Sequence, residues 1–228
     1  RLKDVANAFD MDMASAHRIL KTLEEMGYLD RLTIGRAYGP GQKLRMLANP
    51  LFPTERMIEA LRPLVHELSE TTGQVSHVGI LQDSQVMLAE VALTPVARIS
   101  VKQAVGDVEE LYCSAIGKAI LAFLPRSEQQ PLLRAQSYFP HTEFTYVTKS
   151  ALLRELGKIA SSDISFDDRE GSLDIACIAA PVLDQSGYPV AAIGISSISS
   201  TLDGPIAGQT HLISAVRKTA AQASALLG

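Results

Sequence analysis

Ala14-Ser15-Ala16-His17-Arg18-Ile19-Leu20-Lys21-Thr22-Leu23-Glu24-Glu25-Met26-Gly27 reads as a helix with a defined end. Ala16, Ile19, Leu20, Leu23 and Met26 recur at helical spacing and form one apolar face, with Ser15, Arg18, Lys21, Thr22 and Glu25 around the rest. Gly27 terminates it, because glycine takes the left-handed conformation at least cost. Just upstream, Asp10 or Asp12 supplies a cap. Leu2, Val5, Ala6 and Phe9 stand at i, i+3, i+4 and i+7, the signature of a shorter preceding helix. Downstream, Tyr28 to Leu32 and Ala37-Tyr38 are strand-like around Thr33-Ile34-Gly35-Arg36, a hairpin with a small basic tip that Gly39-Pro40-Gly41 ends. Two short helices, a tight join and a hairpin make a winged helix-turn-helix. Its three-helix core calls for one more helix ahead of Leu2.

In such a module the N-terminal end of the second helix enters the major groove. Ala14, Ser15, His17 and Arg18 are the candidate readers, with Lys21 or Thr22 reaching a phosphate or a base edge. Arg18 is the strongest of these, since a guanidinium pairs bidentately with guanine. Arg31 and Arg36 in the hairpin are placed for phosphate or the minor groove. The competing reading is a surface helix with ordinary solvated polar residues. Charge distribution favours the first: residues 1–49 hold eight Lys/Arg against six Asp/Glu, whereas the whole chain carries −4. A mildly basic head sits on an acidic body.

Asn49-Pro50-Leu51-Phe52-Pro53 interrupts the pattern, and the expected division is a winged helix over 1–46, a linker helix over 47–62 and a second domain over 63–228. Thr54 to Thr72 is helical, with Pro63 implying a kink or a restart. Strands follow from Val75 to Leu81 and Val86 to Val91, around a turn at Gln82-Asp83-Ser84, and Arg98 to Val101 reads as a third. Helices are expected over Ser114–Leu124, Glu128–Arg134 and Ala151–Ala160, the last capped by Ser150. Ile175–Leu183 and Val190–Ser196 are strands joined by the Asp184-Gln185-Ser186-Gly187 turn, and a helix over Ile206–Leu227 closes the chain. The fold class is therefore two-domain α/β, with an antiparallel sheet in the larger domain.

Hydrophobic residues make up 46% of the chain, enough for a real core, and the only two cysteines, Cys113 and Cys177, suit a reducing compartment. Neither a signal segment nor a run of about 18 apolar residues is present, so a cytoplasmic protein with no membrane partner is expected. Catalytic and metal motifs are missing too. The histidines show no H-x-x-x-H and the cysteines no C-x-x-C, so a zinc site needs long-range assembly. No G-x-S-x-G elbow or glycine-rich dinucleotide loop appears. No catalytic residue, metal or cofactor is assigned. For ligand binding, Tyr112 to Lys118 opens a helix whose free N–H groups attract a carboxylate. Asp167, Asp168, Glu170 and Asp174 precede the strand carrying Cys177, and Ser196 and Ser197 end the next, which together would line one polar-rimmed pocket. A solvated acidic loop, a core cysteine and strand-end serines are the structural alternative.

Leu2-Lys3-Asp4-Val5-Ala6, Ser15 to Leu29, Ser114-Ala115-Ile116-Gly117-Lys118-Ala119-Ile120-Leu121-Ala122-Phe123-Leu124-Pro125, and Asp167-Asp168-Arg169-Glu170 followed by Cys177-Ile178-Ala179-Ala180-Pro181-Val182 together resemble the IclR family of bacterial transcription regulators. The resemblance spans nearly the whole chain in order and spacing. It implies a winged helix-turn-helix, a linker helix and a GAF-like effector-binding domain, assembled as a homodimer or dimer of dimers on palindromic double-stranded operator DNA. It also implies a small-molecule effector, an organic or aromatic carboxylate, acting on a repressor more readily than an activator. By this resemblance Ala115, Ile116, Asp167, Cys177 and Ser196 face the effector. The chain departs from the family pattern at the bulkier Ala115-Ile116, at Gly194 where a polar contact is expected, and at Asp174 in place of glycine. Two rivals are a sensor acting only through protein partners, with a degenerate winged helix, and an enzyme using Asp167 and Cys177.

Overall fold

A computed structural model describes residues 1–31, 37–41, 43, 53–94 and 101–227. The hairpin tip with Arg36, and residues 98–100 of the expected third strand, lie outside the described residues. The chain divides into two compact units, Arg1–Met57 and Ile58–Gly228.

In the first unit, α1 (Leu2–Ala8) and α2 (Met13–Glu25) are joined by a turn in which Asp10 takes φ 48, a conformation aspartate tolerates better than most residues. Asp12, not Asp10, caps α2, accepting from the amides of Ala14 and Ser15 at 2.9 Å each. At the other end the Gly27 amide bonds the Glu24 carbonyl and the Tyr28 amide the Leu23 carbonyl, with Gly27 at φ 77. That pairing is the Schellman arrangement, which turns the chain sharply into the hairpin. Strands β1 (Leu29–Arg31) and β2 (Tyr38–Pro40) pair antiparallel, Arg31 opposite Tyr38. Gly41 then passes so close that a Cβ there would lie 2.5 Å from the Gly27 carbonyl oxygen. The apolar face of α2 is narrower than its spacing suggests: Ala16 and Leu20 are buried, but Ile19 and Met26 are exposed.

Helix α3 (Pro53–Thr72) runs through Pro63 as one element, without the restart that proline allowed. In the larger unit the sheet strands are β3 (Val75–Gln82), β4 (Gln85–Ala92), β5 (Val108–Glu109), β6 (Ser165–Asp168), β7 (Ile175–Leu183) and β8 (Pro189–Ile198). Their order is β5-β4-β3-β8-β7-β6, every pairing antiparallel. The helices are α4 (Ala115–Phe123), α5 (Arg126–Ala135), α6 (Lys149–Ser162) and α7 (Thr210–Leu227). Thr148 caps α6, two residues before the expected Ser150, by accepting from the Ala151 amide. Among the described residues Val101 is not in a strand, and the edge of the sheet is the two-residue β5 instead.

Side chains alternate across a strand, so the two faces can be assigned. Cys177, Ala179 and Ala192 join the core formed with α4 and α6 through Ile116, Ile120, Leu152 and Leu156. The other face holds Ser76, whose hydroxyl donates to the Val65 carbonyl of α3, and Ala180, which lies beside Ala220 of α7. Two glycines set how closely α4 can approach. A Cβ on Gly79 would come within 2.5 Å of Ile116, and one on Gly117 within 2.6 Å of the Leu111 Cα. No helix among the described residues is long and apolar enough to cross a membrane.

Candidate functional site

The register of β6, β7 and β8 brings distant sequence into one row. Asp167 lies opposite Cys177, and Cys177 opposite Ser196. All three are buried, with the Cys177 sulfur 3.3 Å from the Ser196 hydroxyl. Above this row, beside the start of α4, a cavity of about 270 Å³ opens between Gln103, Glu109, Glu110, Cys113, Ser114, His141, Asp167, Gly171, Ser172, Ile175 and Cys177. Of the five residues expected to face an effector, Asp167 and Cys177 line it. Ser196 stands behind Cys177. Ala115 and Ile116 follow directly on the lining residues Cys113 and Ser114, and the Ile116 side chain is turned onto Gly79 and the sheet. Ser114 caps α4 through the Gly117 amide at 3.1 Å, which leaves the earlier amides of the first turn to other partners.

Gly194 has a packing reason rather than a vacant polar role. A Cβ there would meet the Ile178 carbonyl oxygen at 2.7 Å and the His77 Nε2 at 3.0 Å. Burial holds His77 neutral, its pKa lowered to about 4.

Of the four acids, Asp167 and Asp168 are built into a strand, and Glu170 and Asp174 lie in the connection that follows it. Asp167 sits in β6 and accepts from the Glu170 amide at 2.6 Å, closing the turn that follows. Glu170 is buried against Lys118, which is itself fully enclosed and lies over the Tyr146 ring at 4.9 Å. Thr145 donates to the Glu170 carbonyl at 2.6 Å and Thr142 to that of Arg169 at 2.7 Å, fixing the turn from the outside. Asp174 is exposed.

Asp167, Glu109 and Glu170 are costly to ionise. Burial pushes Asp167 up to about 6, against the pull of the Glu170 amide and Lys118. Glu109 is raised to about 7 by desolvation on the cavity wall and by the Asp167 charge. Glu170 reaches about 8, because burial outweighs Lys118. Burial drives the Cys177 thiol well above its ordinary range, which removes the thiolate a cysteine nucleophile needs. Sequence reasoning did not find Glu109, Glu110, Gln103 or His141. Cys113 and Ser114 were within the motif it singled out, but His141 carried no local signal.

On α2 the expected readers separate by exposure. Ala14, His17, Arg18, Lys21 and Thr22 are exposed, and Ser15 is half-buried. Ala14, His17, Arg18 and Lys21 make one stripe starting at the capped end. Lys21 approaches Glu25 at 3.6 Å, an exposed pair of small worth, and the Thr22 hydroxyl turns back to the Arg18 carbonyl at 2.9 Å. Arg31 is exposed beside this stripe at the end of β1.

Comparison with known proteins gives two matches in chain order. Residues 1–33 match the IclR helix-turn-helix domain and residues 54–225 the C-terminal domain of the bacterial transcriptional regulator IclR. The HTH-type transcriptional regulator XynR of Escherichia coli is 26% identical over 203 residues, covering 89% of this chain and 80% of that protein. The transcriptional repressor IclR of the same organism is 25% identical over 198 residues, covering 86% and 72%. Among solved structures, the putative transcriptional regulator RHA06195 of Rhodococcus sp. RHA1 superposes with a TM-score of 0.71 at 25% identity, covering 100% of this chain and 89% of that one.

Proposed function

The chain belongs to the IclR family of bacterial transcription regulators, and from that premise we propose that it binds a palindromic operator as a homodimer or dimer of dimers under the control of a small metabolite. Residues 1–46 read DNA, 47–62 link, and 63–228 sense. The observation that carries the DNA reading is the exposed stripe Ala14, His17, Arg18, Lys21 at the Asp12-capped start of α2. Arg18 contacts a base edge there, Lys21 and Arg31 contact phosphate, and Ser15 and Thr22 shape the approach of the helix. Arg36, outside the described residues, is proposed as a further DNA contact.

The effector occupies the cavity over Asp167 and Cys177. An organic carboxylate is supported by the start of α4, where the amides of Ala115 and Ile116 are unpaired within the helix. Binding changes the sensor domain and resets the distance between two recognition helices. Half-sites stand about 34 Å apart or a multiple of it, so a small change in spacing alters fit without touching base contacts. Repression is favoured by the kinship with the E. coli repressor IclR, and the site of action is the cytoplasm. Catalysis by Asp167 and Cys177 is not supported, given the buried, hydrogen-bonded thiol.

The experiment is selection of genomic fragments by the protein at about physiological salt. Enrichment of a shared inverted repeat is expected. A well-folded dimer that enriches nothing would transfer weight to a sensor acting through protein partners.

A further inference from the structure

The cavity poses a problem for the ligand just proposed. Its described lining contains Glu109, Glu110 and Asp167 and no lysine or arginine. Lys118 is fully enclosed and committed to Glu170. A carboxylate entering this space meets three acids and no side-chain cation.

At the cavity mouth, three chemically different donors converge. The Glu110 carboxylate, the Cys113 sulfur and the His141 ring offer ligand atoms that all lie within 4.8 Å of one another, and no other such group of three occurs among the described residues. All three line the cavity. Their placement is fixed by the fold. Glu110 and Cys113 sit on the turn before α4, where the Ser114 hydroxyl donates to the Glu110 carbonyl at 2.8 Å. His141 arrives from the segment between α5 and α6, 31 residues from Glu110. Its ring is held between Tyr112, stacked at 6.2 Å, and Phe139, edge-on at 5.2 Å, with Nε2 directed at Glu110.

We infer that Glu110, Cys113 and His141 form a binding site for one divalent transition metal, zinc by ligand chemistry, at the mouth of the effector cavity. One thiolate, one imidazole and one carboxylate suit zinc better than magnesium or calcium, which prefer oxygen throughout. Ligand bonds of about 2.0–2.3 Å around a tetrahedral centre keep donor atoms roughly 3–4 Å apart. The Cys113 sulfur to Glu110 separation of 3.5 Å already fits, while the 2.6 Å His141–Glu110 hydrogen bond has to lengthen. Glu110 is only half-buried and has room to turn. Metal entry releases the Cys113 thiol proton and any proton on His141 Nε2 to solvent. Three protein ligands leave a fourth position facing the cavity, which an effector carboxylate fills. This last step rests on the effector reading above; metal binding itself does not.

The test uses the full chain stripped by a chelator and titrated with cobalt(II), then zinc, without effector or DNA. The expected result is one cobalt per chain with thiolate-to-cobalt charge-transfer absorption, displaced by an equivalent of zinc, with proton release. Cys113→Ser removes the absorption. His141→Asn, at a position open to solvent, weakens binding by more than the roughly 10–100-fold that loss of an outer partner costs. Absence of stoichiometric binding by the folded chain overturns the inference, as does absorption that survives Cys113→Ser or affinity unchanged in both His141→Asn and Glu110→Gln. If metal binds but no carboxylate alters operator affinity, the metal site stands and the effector reading fails.

Discussion

Replacing Lys118 by methionine probes the electrostatics beneath the cavity. The ammonium is fully buried and is the cation facing Glu170, with Asp167 drawing on the same charge. Methionine keeps most of the stem volume, so little of the loss comes from packing. What remains is a buried carboxyl without its partner, a change that costs up to about 3–5 kcal/mol where that carboxyl is ionised. Urea unfolding of the variant at pH 9 should show that loss as a lowered midpoint at unchanged slope. The pH dependence has a definite sign. Glu170 already carries a folded pKa of about 8, above its ordinary 4.5, and losing Lys118 raises it further. A carboxyl raised on folding contributes stability below its unfolded pKa and loses it as pH rises through the folded one. The variant's deficit should therefore be smallest near pH 5 and grow as pH rises through 8 to 9. A second variant pairing Lys118→Met with Glu170→Leu should recover most of the loss, since an apolar pair of similar volume is about as stable as a buried ion pair. A deficit under about 1 kcal/mol at pH 9, or one equal at pH 5 and pH 9, would refute the reasoning.

Three further outcomes follow from the geometry. Arg18→Ala should cost about 1–3 kcal/mol at one or two base pairs and relax preference there, read by competition binding with operator variants; a uniform loss with preference intact contradicts its role as a reader. Asp12→Ala removes the acceptor for two amides and should speed amide exchange at the start of α2, and no change in exchange would remove Asp12 as the cap. Gly117→Ala places a methyl against Leu111 backbone that cannot swing aside, so a loss of about 1–3 kcal/mol is expected in thermal unfolding; a neutral result would show that α4 shifts freely on the sheet.

Local signals made much of the fold legible. Gly27 after an apolar periodic run announced the end of α2, and Asp184 to Gly187 announced the β7–β8 turn, because each is decided by chemistry within a few residues. Strand β6 was hidden. Its inward positions are Ser165 and Asp167, so the alternation that normally marks a strand carries no hydrophobic contrast, and the segment read as an acidic loop. Two-residue β5 is too short to show any period. The site was legible only in part for the same reason. Asp167 and Cys177 fell in motifs, whereas Glu109, Glu110 and His141 join them through sheet pairing and a loop 31 residues distant, which no local pattern encodes.

The most direct test of the central claim is operator affinity measured with and without a saturating small carboxylate that raises the protein's melting temperature. A regulator coupled through the cavity should change its dissociation constant by about 5–150-fold, and Asp167→Asn should blunt the response without altering affinity for DNA alone. Identical operator affinity in the two conditions, with ligand binding independently confirmed, would contradict the account.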